Sequence, residues 1–266
     1  MLASMQRRAA APAVSSRAKP AVPRAPVVVR RSALAVVAAA SFTPPTVAET
    51  KAKFFQGFSK PIASIYSTVL QELLVQQHFM RYSKTYKYNE IYALGFVSVY
   101  EQILESLPES ERAAIFTSYV NALGEDPERY RRDAQRIESA AGSLSGPDGL
   151  TPDANGNDVQ KALAAMSADA AAGKASYNKF VAIGLFRLLE LTGAKEPAAL
   201  EKLVKAAGIK PENVNRDLLM YKGVLSKLAA AKEMMKEFME REKRKQAERE
   251  AAKAAKAEGK PVEAQA

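Results

Sequence analysis

From Pro44 onward, nearly every stretch of this chain repeats its apolar residues at the three-and-four spacing of an α-helix. The repeats are bounded by helix start and stop residues, and strand-like alternation runs nowhere for a convincing length. That pattern confines this part of the chain to an all-α fold. A helical stripe gathers apolar side chains on one face only if the backbone turns every 3.6 residues. Thr46 and Glu49 have capping-box spacing, which satisfies two orphan backbone donors at a helix start. Pro61 fits a first turn, where its missing N–H costs nothing, and Ile62, Ile65, Tyr66, Val69, Leu73 and Met80 share one face of a helix to about Ser83. Asn89 caps a helix over about 90–107, carrying Ala93, Leu94, Val97, Tyr100 and Leu104, and Pro108 ends it. The next helix covers about 109–123 and stops at Gly124. Asp126-Pro127 starts another, which stops at Gly142.

Residues 142–157 (GSLSGPDGLTPDANGN) are turn formers and read as a long exposed loop dividing two helical halves. Helices over about 158–172, 177–192 and 197–207 follow, then a long one from about Pro211. Val214, Leu218, Tyr221, Leu225, Leu228, Met235 and Met239 form a heptad-like, coiled-coil-type series along it, interrupted by Lys232. The expected architecture is a multi-helix bundle, 43–239, whose long C-terminal helix packs through this stripe. A charged tail, 240–266, then projects or frays.

The formal net charge of +10 sits mostly in one place. Residues 1–42 contain Arg7, Arg8, Arg17, Lys19, Arg24, Arg30 and Arg31 and no acid, which leaves 32 basic against 29 acidic residues, a net +3, for 43–266. A segment rich in Ala, Arg, Pro, Ser and Val without acids has the composition of an organelle transit peptide. Its Pro20–Pro26 stretch argues against a long amphipathic mitochondrial helix. Arg30-Arg31 ahead of the run 33–40 also matches a second, twin-arginine export signal. The run is short for one, so cleavage nearby is expected.

Other counts close off chemistry. The absence of Cys excludes disulfides, thiolate metal sites and Cys nucleophiles, and one His excludes multi-His metal sites within a chain. No run of 18 apolar residues, GxGxxG or GxxxxGK[ST] occurs. His78 has no acidic or metal-ligand companions and reads as structural or surface-lying. Glu101, Glu105 and Glu190 read as solvated helix carboxylates rather than an acid/base pair. No catalytic, cofactor-binding or metal site is expected.

Partner-binding candidates remain. Tyr82, Lys84, Tyr86, Lys87 and Tyr88 (YSKTYKY) interleave rings and cations, either to stack bases or as a helix connection that buries its rings and leaves its hydroxyls wet. The near-balanced charge of the body favours the connection, with no nucleic acid as partner. Residues 180–191 (FVAIGLFRLLEL) are apolar nearly all round and mark a buried helix whose charges, Arg187 and Glu190, pair at i,i+3. They form either a solvated stripe or the lining of a groove. Met234, Met235, Phe238 and Met239 gather soft side chains near the end of the stripe. Arg241, Lys243, Arg244 and Lys245 follow as candidate contacts to an anionic membrane surface, in a tail of mixed charge.

The segments TVAETKAKF (46–54), PIASIYSTVLQELLVQQHFMRY (61–82), TYKYNEIYALGFVSVYEQ (85–102), EDPERYRRDA (125–134), 180–191 and RDLLMYKGVLSKLAAAKEMMKEF (216–238) resemble, in order, the thylakoid-formation family of plants, algae and cyanobacteria. This family is also described as photosystem II biogenesis proteins. The resemblance runs from about 46 to 245 and is loose over 142–175. It implies an all-helical, non-enzymatic protein of the chloroplast stroma and stromal thylakoid face, without cofactor. It further implies a role in thylakoid biogenesis and in photosystem II assembly and repair, with an FtsH-type thylakoid protease as partner. The alternative is a peripheral module that organises thylakoid membrane or vesicles through its C-terminal helix. Partner contact is expected at Tyr82, Tyr86, Tyr88, Arg187, Met235 and Met239.

Overall fold

The computed structural model describes residues 43–257 apart from 195. The 1–42 leader and the last nine residues of the tail lie outside the described residues. Nine α-helices and no strand occur among the described residues. They are α1 (Val47–Gly57), α2 (Ser64–Arg81), α3 (Glu90–Leu104), α4 (Glu109–Ala122), α5 (Pro127–Gly142), α6 (Asp158–Ala171), α7 (Lys179–Leu191), α8 (Pro197–Ala206) and α9 (Pro211–Ala257).

The expected caps form. Thr46 and Glu49 close a capping box, with Glu49 N–H donating to Thr46 Oγ1 at 3.2 Å and Thr46 N–H to the Glu49 carboxylate at 2.6 Å. Asn89 accepts from the Tyr92 amide at 2.7 Å, and Asp126 from that of Glu128 at 2.9 Å. A second box, Asn157 with Gln160, starts α6. Pro61 departs from expectation. It precedes the helix, which begins at Ser64 behind an Ala63 cap that offers no side-chain acceptor.

α3 organises the core. Eleven of its fifteen residues are buried, and it packs most extensively against α7 and then α5. Arg187 and Glu190 lie at the solvent side of α7, and Phe180–Leu185, Leu188 and Leu189 are buried, as its sequence requires. The close α3–α7 approach depends on Gly95 and Gly184, which have no side chain to hold the backbones apart. Around this centre α1 pairs with α4 and α2, α6 lies on α5, and α8 and α9 lie on α7. Tyr92, Phe96, Tyr130 and Phe180 form a mutual ring cluster with centroids 5.2–6.1 Å apart, mostly edge-on. That geometry sets positive ring edges against negative faces.

The segment after α5 does not divide two halves, because α5 before it and α7 after it share α3 as their core partner. It is strapped down instead. Leu150 is buried, Asn157 Nδ2 donates to the Ala140 carbonyl at 3.1 Å, and Gln160 Nε2 to that of Gly149 at 3.1 Å. α9 buries Val214 and Leu228 and half-buries Leu218, Tyr221 and Leu225. Lys232 then reaches back to Glu105 at 3.0 Å, and its ammonium sits 5.9 Å from the Tyr66 ring centre. The stripe therefore leaves the core at Leu228, short of Met235 and Met239. The helix nonetheless stays α-helical through the charged segment to Ala257.

Candidate interaction surfaces

The 82–89 connection is built inward from its tyrosines. The Tyr82 hydroxyl donates to the Leu123 carbonyl at 3.2 Å, Tyr86 meets Tyr130 hydroxyl to hydroxyl at 3.4 Å, and Tyr88 donates to Asp133 at 2.8 Å. The hydroxyls expected to be wet are thus bonded within the protein. Burial pushes the Tyr86 phenol up to about 12, and burial with the Asp133 hydrogen bond raises Tyr88 further. The ring of Tyr88 is edge-on to Tyr92 and Tyr130 and lies 3.8 Å below the Arg129 guanidinium. The Arg129 guanidinium thus covers a face of the Tyr88 ring that a base would need for stacking. What the connection shows to solvent is Ser83, Lys84, Thr85 and Lys87, with Lys87 paired to Asp169.

Arg187 does more than its sequence spacing states. It meets Glu190 at 3.2 Å on its own helix and Glu138 of α5 at 3.3 Å, which ties α7 to α5. Partial burial works against the charged guanidinium, and the bonds to Glu190 and Glu138 outweigh it and raise the pKa. Phe186 beside it is 41% exposed. The Glu138 partner was invisible to a reading confined to one helix, since the two residues are 49 positions apart.

A cleft of about 110 Å³ opens between α2, α3, α7 and α9. Leu73, Val99, Ile103, Phe180 and Ile183 form its walls, Met220 and Val224 of α9 its outer edge, and Glu72, Gln76, Lys179 and Asp217 its rim. Lys179 contacts Gln76, and desolvation lowers its pKa against the pull of Glu72 and Asp217. Tyr177 donates to Asp217 at 2.6 Å. The sequence marks Leu73, Phe180 and Ile183 only as apolar helix positions and does not point to the polar rim of Glu72, Gln76, Lys179 and Asp217.

His78 is buried, and its Nδ1 lies 2.9 Å from Thr50 Oγ1, so it joins α2 to α1. Glu105 faces Lys232 and Glu190 faces Arg187, while Glu101 lies at a separate pocket between α3, α4 and Arg131. The three carboxylates are not brought together. Among the described residues no cluster of three or more His, Asp or Glu side chains could hold a metal ion, and no helix is long and apolar enough to cross a membrane.

Fold and surfaces together define the class: an all-α protein with an aromatic core, ion-paired helix faces and a long C-terminal helix that outruns its core. A family model described as thylakoid formation protein matches residues 46–250, and the chain belongs to that family. It is 51% identical over 221 residues to Protein THYLAKOID FORMATION1, chloroplastic, of Oryza sativa subsp. japonica, covering 82% of this chain and 77% of the relative. It is 48% identical over 207 residues to its Arabidopsis thaliana namesake, covering 77% and 69%. Protein Thf1 of Nostoc sp. is 30% identical over 216 residues, covering 77% and 93%. The solved structure of Psb29 at 1.55 Å superposes with a TM-score of 0.59 at 27% identity, covering 77% of this chain and all of that one.

Proposed function

We propose that this protein is a non-enzymatic chloroplast factor for thylakoid biogenesis and for photosystem II assembly and repair. It acts from the stromal face by binding and stabilising an FtsH-type protease complex. The family match over 46–250 carries this reading, with the chloroplastic relatives named for thylakoid formation and the Psb29 fold in support. The cationic, acid-free leader agrees with import into a chloroplast.

The proposed contact combines the Arg187 face of α7 with Met235 and Met239 of α9, two side chains 38% and 51% exposed that lean toward the side of α9 facing the core. Tyr82, Tyr86 and Tyr88 serve it indirectly, by fixing the connection that presents Lys84 and Lys87. Stabilisation follows from mass action, because a factor that binds only the assembled complex lowers its free energy relative to its dissociated parts. Pull-down from detergent-solubilised thylakoids tests this. The protein should retain the protease, and Arg187→Glu combined with Met235→Glu should lose it. Unchanged protease abundance in a deletion strain would count decisively against the reading.

A further inference from the structure

Beyond Leu228, α9 carries its next apolar side chains in solvent, with Met234 64% and Phe238 52% exposed. At about 100° per residue, Met234, Arg241, Lys245 and Arg249 all fall within roughly 60° of Phe238. Lys243 and Arg244 lie about 120° or more away, and the core-facing Leu218, Tyr221, Leu225 and Leu228 lie roughly 80–160° away. One open face of the helix therefore carries Met234 and Phe238 over little more than one turn, and over about the next two and a half turns three bases against one acid, Glu242, about 40° from Phe238. Among the described residues Arg241 bonds only to the Glu237 carbonyl at 3.4 Å, Lys245 meets Glu242 at 3.2 Å, and Arg249 has no carboxylate partner.

We propose that this face is a contact for an anionic lipid surface. Met234 and Phe238 enter the boundary between headgroups and acyl chains, and Arg241, Lys245 and Arg249 pair with lipid phosphates. Two observations favour lipid over a partner helix. A coiled-coil partner requires an apolar seam over about three heptads or more, yet after Met239 the long side chains of this face are Arg241, Glu242, Lys245 and Arg249, none of them apolar. An interfacial helix needs only a few inserted side chains with cations beside them. The geometry keeps Arg241 and Lys245 from the basic cluster read in the sequence, drops Lys243 and Arg244, and adds Arg249. This lipid contact goes beyond protease binding and does not depend on it.

The chain contains no tryptophan, so Phe238→Trp and Glu240→Trp, the second pointing to the opposite side of the helix, are clean local reporters. The full chain is titrated with phosphatidylcholine vesicles with and without the anionic lipid phosphatidylglycerol, whose surface potential attracts basic segments. Indole emission of the Phe238→Trp variant should blue-shift and become shielded from aqueous quencher only with the anionic vesicles. Emission of the Glu240→Trp variant should stay put. Adding Arg241→Glu and Arg249→Glu to the first reporter should weaken the titration at least about tenfold. Lys243→Glu with Arg244→Glu should weaken it less than about threefold. Equal responses from the two reporters, equal losses from the two charge reversals, or no response to anionic vesicles would overturn the proposal. A shift produced by poly-glutamate but not by vesicles would overturn it in favour of an acidic protein partner. No protease is present, so failure here leaves the pull-down result untouched.

Discussion

Gly95 and Gly184 meet backbone to backbone where α3 crosses α7. A β-carbon on Gly95 would lie 1.9 Å from the Phe180 carbonyl oxygen and 2.6 Å from the Gly184 nitrogen, and one on Gly184 would lie 2.1 Å from the Ile91 carbonyl oxygen. These obstacles are backbone atoms of two buried helices, so neither can swing aside. Gly95→Ala and Gly184→Ala should each cost about 3 kcal/mol or more. Gly223→Ala is the control. It lies in α9 with nothing within 4 Å of its added methyl, and should gain about 0.5–1 kcal/mol from helix propensity. Urea unfolding of the three variants measures both signs.

Tyr92 and Gln77 give a second test. The Tyr92 hydroxyl donates to Gln77 Oε1 at 2.9 Å and accepts from Tyr130 at 3.3 Å, and Gln77 Nε2 is buried without a partner. Tyr92→Phe should destabilise by about 1–3 kcal/mol, because it strands the buried amide. Adding Gln77→Met should recover much of that loss, since the group in need of a partner is gone. A double-mutant cycle reads the coupling.

His78 predicts a pH dependence. Burial lowers its pKa from 6.5, so as pH falls the unfolded chain takes up the proton before the folded one does. Its contribution to stability is complete above about 6.5 and is lost as pH falls through the window down to the lower native value. His78→Gln should flatten the stability curve in that window relative to the parent, measured as the difference between their urea midpoints.

Arg187 separates structure from recognition. Its two ion pairs are about one-third exposed, and such pairs stabilise by at most about 1 kcal/mol. Arg187→Met should therefore leave the thermal midpoint nearly unchanged while weakening capture of the protease.

Removing residues 234–266 should alter stability by less than about 0.5 kcal/mol, because Met234, Met235, Phe238 and Met239 stand in solvent. Leu228→Ala should cost about 2 kcal/mol or more, as it empties the last buried site of α9. Calorimetry of the two variants locates where the helix stops contributing to the core.

The local layer of this fold was legible in the sequence because its signals are short-range. Thr46 with Glu49, Asn89, and Asp126 with Pro127 each act within one turn, and each caps the helix it announces. Pro61 misled because a proline compatible with a first turn is equally compatible with the extended residues before one. The 142–157 segment looked like a divide because its composition shows a turn but not the Leu150 anchor or the Asn157 strap. At the candidate surfaces, Arg187–Glu190 followed from i,i+3 spacing, whereas Arg187–Glu138 and the Tyr88–Asp133 bond join residues more than forty positions apart. Periodicity carries no information about such pairs. The end of core packing at Leu228 was hidden for a related reason: a heptad stripe records which side of a helix is apolar, not how far the opposing surface extends.

From Leu228 to Ala257 the helix runs on for about 40 Å at 1.5 Å per residue. It is a lever whose pivot is the Leu228 site and the Lys232–Glu105 pair. A change of a few degrees in the angle at which α9 leaves that pivot would sweep Ala257 through several ångström. Modest repacking beneath Leu228, or loss of a single ion pair, would thus be amplified at the far end, and the core would set the aim of a surface it never touches.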